Sequence, residues 1–171
     1  MSEWIFETER LYVRRFTKMD DESFFHLNND PDIMLYIRKP KSREECTHYL
    51  MENIADYDRF PMTGRWALLE KGSDRFVGSF SIVPLEGTDD WQIGYALLKD
   101  DWNKGYATEV VNGGIQYVFE KMKLSKIMAV TELPNTSSQN VLNKTGFLPK
   151  SVFSEHEEDL YLYELKAEAC S

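Results

Sequence analysis

The sequence predicts a mixed α/β (α+β) domain whose sheet is largely antiparallel, with about seven strands and about four helices. Three observations predict it. Short apolar runs with strand-like alternation are bounded by Gly, Pro, Asn and Asp clusters. Between them lie amphipathic stretches with capping signals at their starts. The resulting order, β-α-α-β-β-β-α-β-α-β-β, sets strands beside each other in runs, which favours antiparallel neighbours. With 171 residues and no repeat, linker or low-complexity tract, the chain reads as one domain over 1–171.

Each element has its own warrant. "TERLYVRRF" reads as the first strand. Thr17 then opens a helix, with Asp20 three residues on and Phe16 placed as a hydrophobic staple. "NNDPDIMLYIRKP" reads as a loop, punctuated by two prolines. Ser42 and Glu45 form a capping-box pattern, followed by the stripe Cys46, Tyr49, Leu50, Ile54 and Tyr57. "RWALLEK" and "FVGSFSIVP" pair across the turn "GSD". In "WQIGYALL", Trp91, Ile93, Tyr95 and Leu97 share a face, and Gly94 suggests a bulge or a close backbone approach.

The next helix runs to about Lys123, with Val110, Val111, Ile115, Val118, Phe119 and Met122 as its buried stripe. Gly114 lies on that stripe, where it permits close approach to the sheet; no reason is evident for Gly113. "SKIMAVTEL" is a strand. "NTSSQNVLNKTGF" is a short helix with a Thr136–Gln139 capping box and Gly146 as its stop. "LPKSVFS" and "LYLYELKA" close the sheet around the acidic turn "EHEED".

Composition narrows the function classes. Hydrophobic residues at 42% and charged residues at 29% suit a soluble globular protein. No apolar run approaches the roughly 20 residues that span a bilayer, and "MSEWIFETER" lacks a secretory pattern. The net charge of −9, with no strong basic patch, argues against nucleic acid and suits solubility or cationic partners. Cys46 and Cys170 make no disulfide framework: Cys46 is expected on a helix face, Cys170 in a frayed tail, and the compartment is expected to be the cytoplasm. His26, His48 and His156 lack metal-ligand spacing, so no metal is expected.

The stretch "DDWNKGYATEV" carries the chemistry. A helix N-terminus presents backbone N–H groups without internal partners at the positive end of its dipole. Asn103, Lys104 and Gly105 before it make a donor surface suited to phosphate. Gly105 supplies unusual backbone angles, Ala107 leaves room and Thr108 adds a hydroxyl. G-x-x-x-x-G-K-[ST] and G-x-G-x-x-G are both absent. On these residues alone, a plain connector and an anion site remain equally open.

"GYALLKDDWNKGYATEV" together with "NTSSQNVLNKTGF" resembles the GNAT N-acetyltransferases, in particular the branch that acetylates N-termini of ribosomal proteins. The likeness covers nearly the whole chain, from "ETERLYVRRF" onward. It implies a GNAT-like twisted sheet and acetyl-CoA as cosubstrate. The family's Q/R-x-x-G-x-G/A pattern falls on Trp102 to Ala107, departing at Trp102 and at Asn103, where glycine is usual. Asparagine adopts left-handed angles better than most residues. By resemblance, the backbone of Asn103, Lys104, Gly105, Tyr106, Ala107 and Thr108 holds the pyrophosphate. Ala96, Leu97 and Leu98 pair with the pantetheine, and an N–H near Leu97 polarises the thioester carbonyl. Asn135 contacts the cofactor near the thioester and Ser138 lies beside the sulfur, although both residue types also serve as helix caps.

The resemblance further implies direct attack of a primary amine in a ternary complex. The amine must lose a proton, and Glu132, Glu86 and Asp90 are the candidate bases. Leu142 stands where many family members carry a tyrosine acid. Acceptor choice is expected in residues 28–36 and 155–159, with a peptide N-terminus, a polyamine or an aminoglycoside all open. Monomer and homodimer are both compatible. The alternative is a non-catalytic acetyl-CoA-binding sensor on the same fold.

Overall fold

The computed structural model describes residues 4–167; Cys170 lies outside the described residues. Eight strands and five helices follow in the order β1 (Trp4–Glu7), β2 (Leu11–Arg15), α1 (Asp21–Asn29), α2 (Pro31–Met34), α3 (Arg43–Asp56), β3 (Gly64–Glu70), β4 (Phe76–Pro84), β5 (Trp91–Leu97), α4 (Tyr106–Glu120), β6 (Lys126–Glu132), α5 (Thr136–Lys144), β7 (Leu148–Glu155) and β8 (Glu158–Lys166). The hydrogen-bonded strand order is β1-β2-β3-β4-β5-β6-β8-β7. Hairpins β1–β2 and β7–β8 are antiparallel, as are β2–β3 and β6–β8, whereas β5 and β6 run parallel, in register at Gln92 and Met128. This is the mixed, largely antiparallel sheet that the sequence predicts.

Two elements go beyond the expectation. Thr8 receives the Leu11 amide on its hydroxyl, at 3.1 Å, and so makes a turn inside the stretch expected to be strand. The residues before it form the separate strand β1, where Trp4 stacks on Tyr12. Within the expected loop, Asp30 caps the amides of Asp32 and Ile33, and Pro31 at the first position starts the short helix α2.

The local caps follow the sequence closely. Thr17 and Asp20 form the reciprocal box, first around a 3-10 turn over Lys18–Asp20 that leads into α1. Ser42 and Glu45 form the box of α3. The expected Thr136–Gln139 box is replaced: Asn135 caps α5 by accepting the Ser138 amide, and Gln139 instead donates to the carbonyls of Glu132 and Leu133. Gly146 ends α5 at φ +99, and His156 and Glu157 turn the last hairpin at φ +50 and +68.

The chain divides into two compact units, one of Met1–Ser81 with Tyr95–Tyr106 and one of Ile82–Gly94 with Ala107–Ser171. In the first, Phe16, Phe24, Cys46, Leu50 and Ala67 form one core cluster, which sets α1 and α3 against β3. A second cluster joins Leu27, Ile33 and Met34 to Ala96, with Phe76 and Leu98 packed on it. Here α2 anchors the far end of β5. In the second unit, Val110, Val111 and Val118 of α4 are fully buried, as is Ile127 of β6, and Leu142, Phe147 and Leu165 are nearly so. The expected stripe of α4 is thus buried at its valines and isoleucine, and Tyr117 is also buried. That helix ends at Glu120, short of the expected Lys123.

Candidate functional site

The end of β5 is shaped by β4. A Cβ built on Gly78 would lie 2.1 Å from the Ala96 carbonyl oxygen, so only glycine allows the two strands this close. The Leu98 amide donates to the Val77 carbonyl at 2.9 Å. Because successive residues of a strand alternate in direction, the Leu97 N–H points away from β4. The Leu97 carbonyl accepts from the Trp102 indole at 2.9 Å, which closes the turn after β5. Trp102 itself is 43% exposed.

Asn103 and Gly105 then take φ +61 and +83 on either side of Lys104. Asparagine carries the left-handed angle that a glycine would otherwise supply, as its residue type permits. Such reversals of hand turn successive backbone N–H groups to one side, the geometry of an anion nest. Directly after it, α4 begins at Tyr106, and the first amides of a helix have no partner one turn back. The residues present fit a diphosphate.

A network beneath this turn holds it. Asp101, fully buried, receives both Arg75 terminal nitrogens at 3.0 and 2.7 Å and the Lys104 ammonium at 3.1 Å. Burial opposes the Asp101 charge, but the hydrogen bonds from Arg75 and Lys104 outweigh it and keep its pKa below the usual range. Arg75 also reaches Glu70 at 3.2 Å, and Glu70 accepts the Tyr106 hydroxyl at 2.6 Å. That hydroxyl, with help from Ser73 and Arg75, holds the Glu70 pKa at about 2. Arg10 donates to the Lys104 carbonyl at 2.9 Å and lies over the Tyr106 ring at 4.5 Å. A Cβ on Gly105 would meet the same guanidinium at 3.3 Å.

The sequence-predicted residues therefore divide by role. Tyr106 is buried, its hydroxyl spent on Glu70, so its backbone N–H is what it offers a ligand. Lys104 is tied to Asp101 and remains 44% exposed. Arg10, Glu70, Arg75 and Asp101 were not singled out from the sequence, because their spacing carries no motif.

In the second unit, Asn135 and Ser138 come together through the cap, Oδ1 of Asn135 accepting the Ser138 amide at 3.2 Å. Leu142, one turn on, is 2% exposed and packs as core. Of the candidate bases, Asp90 pairs with Lys126 at 3.2 Å and Glu86 is exposed. Glu132, at the end of β6, has its pKa raised by burial and by the neighbouring Glu158 carboxyl. Among the described residues no helix is long and apolar enough to cross a membrane, and no three His, Cys, Asp or Glu side chains are grouped to hold a metal ion.

Comparison with known proteins bears on the family and the fold. The family model described as an acetyltransferase (GNAT) domain matches residues 10–148. An uncharacterized N-acetyltransferase, p20, of Bacillus licheniformis is 27% identical over 92% of this chain and 93% of its own. The crystal structure of a GNAT-family acetyltransferase from Bacillus anthracis superposes with a TM-score of 0.84 at 26% identity, covering 95% of this chain and 98% of that one. More distant structures share the fold. RimL, a ribosomal alpha-N-protein acetyltransferase in complex with coenzyme A, gives a TM-score of 0.83 at 16% identity, covering 98% and 99% of the two chains. Spermidine N-acetyltransferase from Vibrio cholerae, in complex with CoA and spermine, gives 0.79 at 17%, covering 94% and 98%. The match of that family model over most of the sequence shows that the chain belongs to the acetyltransferase (GNAT) family.

Proposed function

We propose that the chain works as one domain that moves an acetyl group from acetyl-CoA to a primary amine by direct attack in a ternary complex. The observation that carries this reading is the pair of left-handed residues, Asn103 and Gly105, set immediately before α4. The backbone N–H groups of Asn103 to Thr108 receive the pyrophosphate, as anions are received at helix N-termini. Ala96, Leu97 and Leu98 line the pantetheine. The Leu97 N–H, directed away from β4, donates to the thioester oxygen as negative charge grows on it.

Asn135 offers its side-chain amide to the cofactor while its oxygen caps α5, and Ser138 lies beside the sulfur. Attack forms the new C–N bond and breaks the C–S bond; the amine proton goes to a base and the thiolate leaves. Glu132 suits the base role best of the three carboxylates, because its raised pKa brings it closer to neutral pH. Leu142 provides no acid. The enzyme acts in the cytoplasm, as a monomer or homodimer, and needs no metal.

A sensor that binds acetyl-CoA without turnover is the second reading, favoured by Leu142 alone. Thiol release from acetyl-CoA across ribosomal-protein N-terminal peptides, polyamines, aminoglycosides and amino acids separates the two. The enzyme reading expects amine-dependent release with initial-rate lines that intersect when both substrates are varied. Tight binding of acetyl-CoA with no release above background for any amine would instead support the sensor.

A further inference from the structure

A second group of cations lies in the first unit, away from the phosphate turn in sequence. Three positive side chains surround one ring: Lys41 Nζ lies 4.8 Å, Arg65 Cζ 5.5 Å and Arg38 Cζ 5.6 Å from the centre of Tyr49. None of the three makes an ion pair with a carboxylate among the described residues. In a chain of net charge −9 this is unexpected, since carboxylates outnumber cations by 29 to 20. Glu45, in the first turn of α3, is close enough for the Lys41 charge to stabilise its carboxylate, but it is committed to capping Ser42 at 2.9 Å.

The group is fixed in place. Arg38 donates to Asn28 Oδ1 at 3.0 Å and reaches the sulfur of Met34 at 3.8 Å. Tyr57 holds the start of β3 by donating its hydroxyl to the Arg65 carbonyl while accepting the Phe16 amide at 3.0 Å. Tyr49 packs on Phe24 in a tilted arrangement, with centroids 5.6 Å apart. The Nε of Arg65 is buried without a hydrogen-bond partner. Burial and the Arg65 charge both work against the Arg38 cation, and no carboxylate offsets them. Two half-buried guanidiniums kept together at such a cost need an anion.

We propose that Arg38, Lys41 and Arg65 form a binding site for the carboxylate of the acetyl acceptor, so that the acceptor class is an amine that also bears a carboxylate. This rests on the acetyltransferase reading. The link to the reaction is on the same fold unit: Met34, which touches Arg38, belongs to the cluster that packs Ala96 and Leu98 at the end of β5. Guanidiniums bind carboxylates through paired N–H donors, and the aromatic ring keeps both cations poised. Polyamines, which are cations, are repelled by such a group.

Two measurements test it. The first compares amino acids and dipeptides with the same compounds as carboxamides, in the wild type, Arg65→Gln and Arg65→Lys. The wild type is expected to prefer the carboxylate at least tenfold in kcat/KM. Arg65→Gln should reduce that preference at least tenfold, through a raised KM for the carboxylate compounds, and Arg65→Lys should restore part of it. Equal rates for acid and amide in the wild type, or faster polyamine acetylation, would overturn the proposal.

The second measurement follows thermal stability with succinate against succinamide, and is independent of turnover. Succinate alone is expected to raise the wild-type midpoint, while Arg65→Gln, relieved of the like charge, should start higher and respond to neither. Stabilisation by both compounds or by neither would overturn the site. Absence of acetyl-CoA binding alongside an intact succinate response would sink the transferase reading and leave the anion site standing.

Discussion

Gly105 is the residue on which the cofactor reading turns most sharply. Its φ of +83 strains any L side chain, and its neighbour Arg10 leaves little room for a Cβ. Gly105→Val is expected to cost about 1–3 kcal/mol of stability and to weaken acetyl-CoA binding at least tenfold; denaturant titration and calorimetry read the two effects. Asn103 shows how much of such a turn a sequence can reveal. The side chain type suggested tolerance of left-handed angles, and the structure has φ +61. The partners of Lys104 and Tyr106 were not legible, because Asp101 and Glu70 meet them through side chains that only the folded chain brings together.

Glu132 makes a pH prediction of opposite sign to most acids here. Its folded pKa is raised above 4.5 by burial and by Glu158. Its charge therefore destabilises the fold at neutral pH, and that penalty disappears as pH falls below the unfolded value. Glu132→Gln should raise the melting midpoint at pH 7 to 8 and change it little at pH 4. If Glu132 is also the base, the same variant loses the acidic limb of the pH–rate profile, where the rate rises as the carboxyl deprotonates. An unchanged midpoint and profile would remove Glu132 from both roles.

At the scale of elements, caps were the most legible features because their signals are local. Both reciprocal boxes, Thr17–Asp20 and Ser42–Glu45, formed as the spacing requires. The start of α5 departs by one residue, since Asn135 can reach the Ser138 amide and so displaces Thr136 from the cap. Asn135→Ala should cost about 1 kcal/mol from the lost cap. Asn135→Ser keeps a cap but not the amide, so a fall in kcat/KM with stability retained would isolate the cofactor contact. The helix α2 escaped detection because four residues carry too little periodicity. The close contact of β4 with β5 falls at Gly78, which no local pattern singles out; Gly78→Ala is expected to cost about 3 kcal/mol or more, because the added Cβ meets backbone that cannot move aside.

Across the whole molecule, acid stability should follow the network under the turn before α4. Glu70 titrates at about 2 when folded against 4.5 ordinarily, and Asp101 and Asp20 are also depressed. These groups stabilise the fold fully above the unfolded value and lose that contribution as pH drops towards 2. Chemical denaturation between pH 6 and 2.5 is expected to show a steady decline in stability, reduced in Glu70→Gln. Fold class was readable at this scale because strand runs, helix periods and turn residues agreed with one another. The proposed acceptor site was not, because Arg38, Lys41 and Arg65 come from a loop and a strand and meet only around Tyr49.

The most direct test of the central claim is calorimetric titration of the wild type and Gly105→Val with acetyl-CoA and with S-acetylpantetheine, which lacks the diphosphate. The account predicts that the wild type binds acetyl-CoA much more tightly than the truncated thioester, and that Gly105→Val removes this advantage while binding the truncated compound unchanged. Equal affinity of the wild type for both ligands, or full acetyl-CoA affinity in Gly105→Val, would contradict the assignment of the turn to the diphosphate.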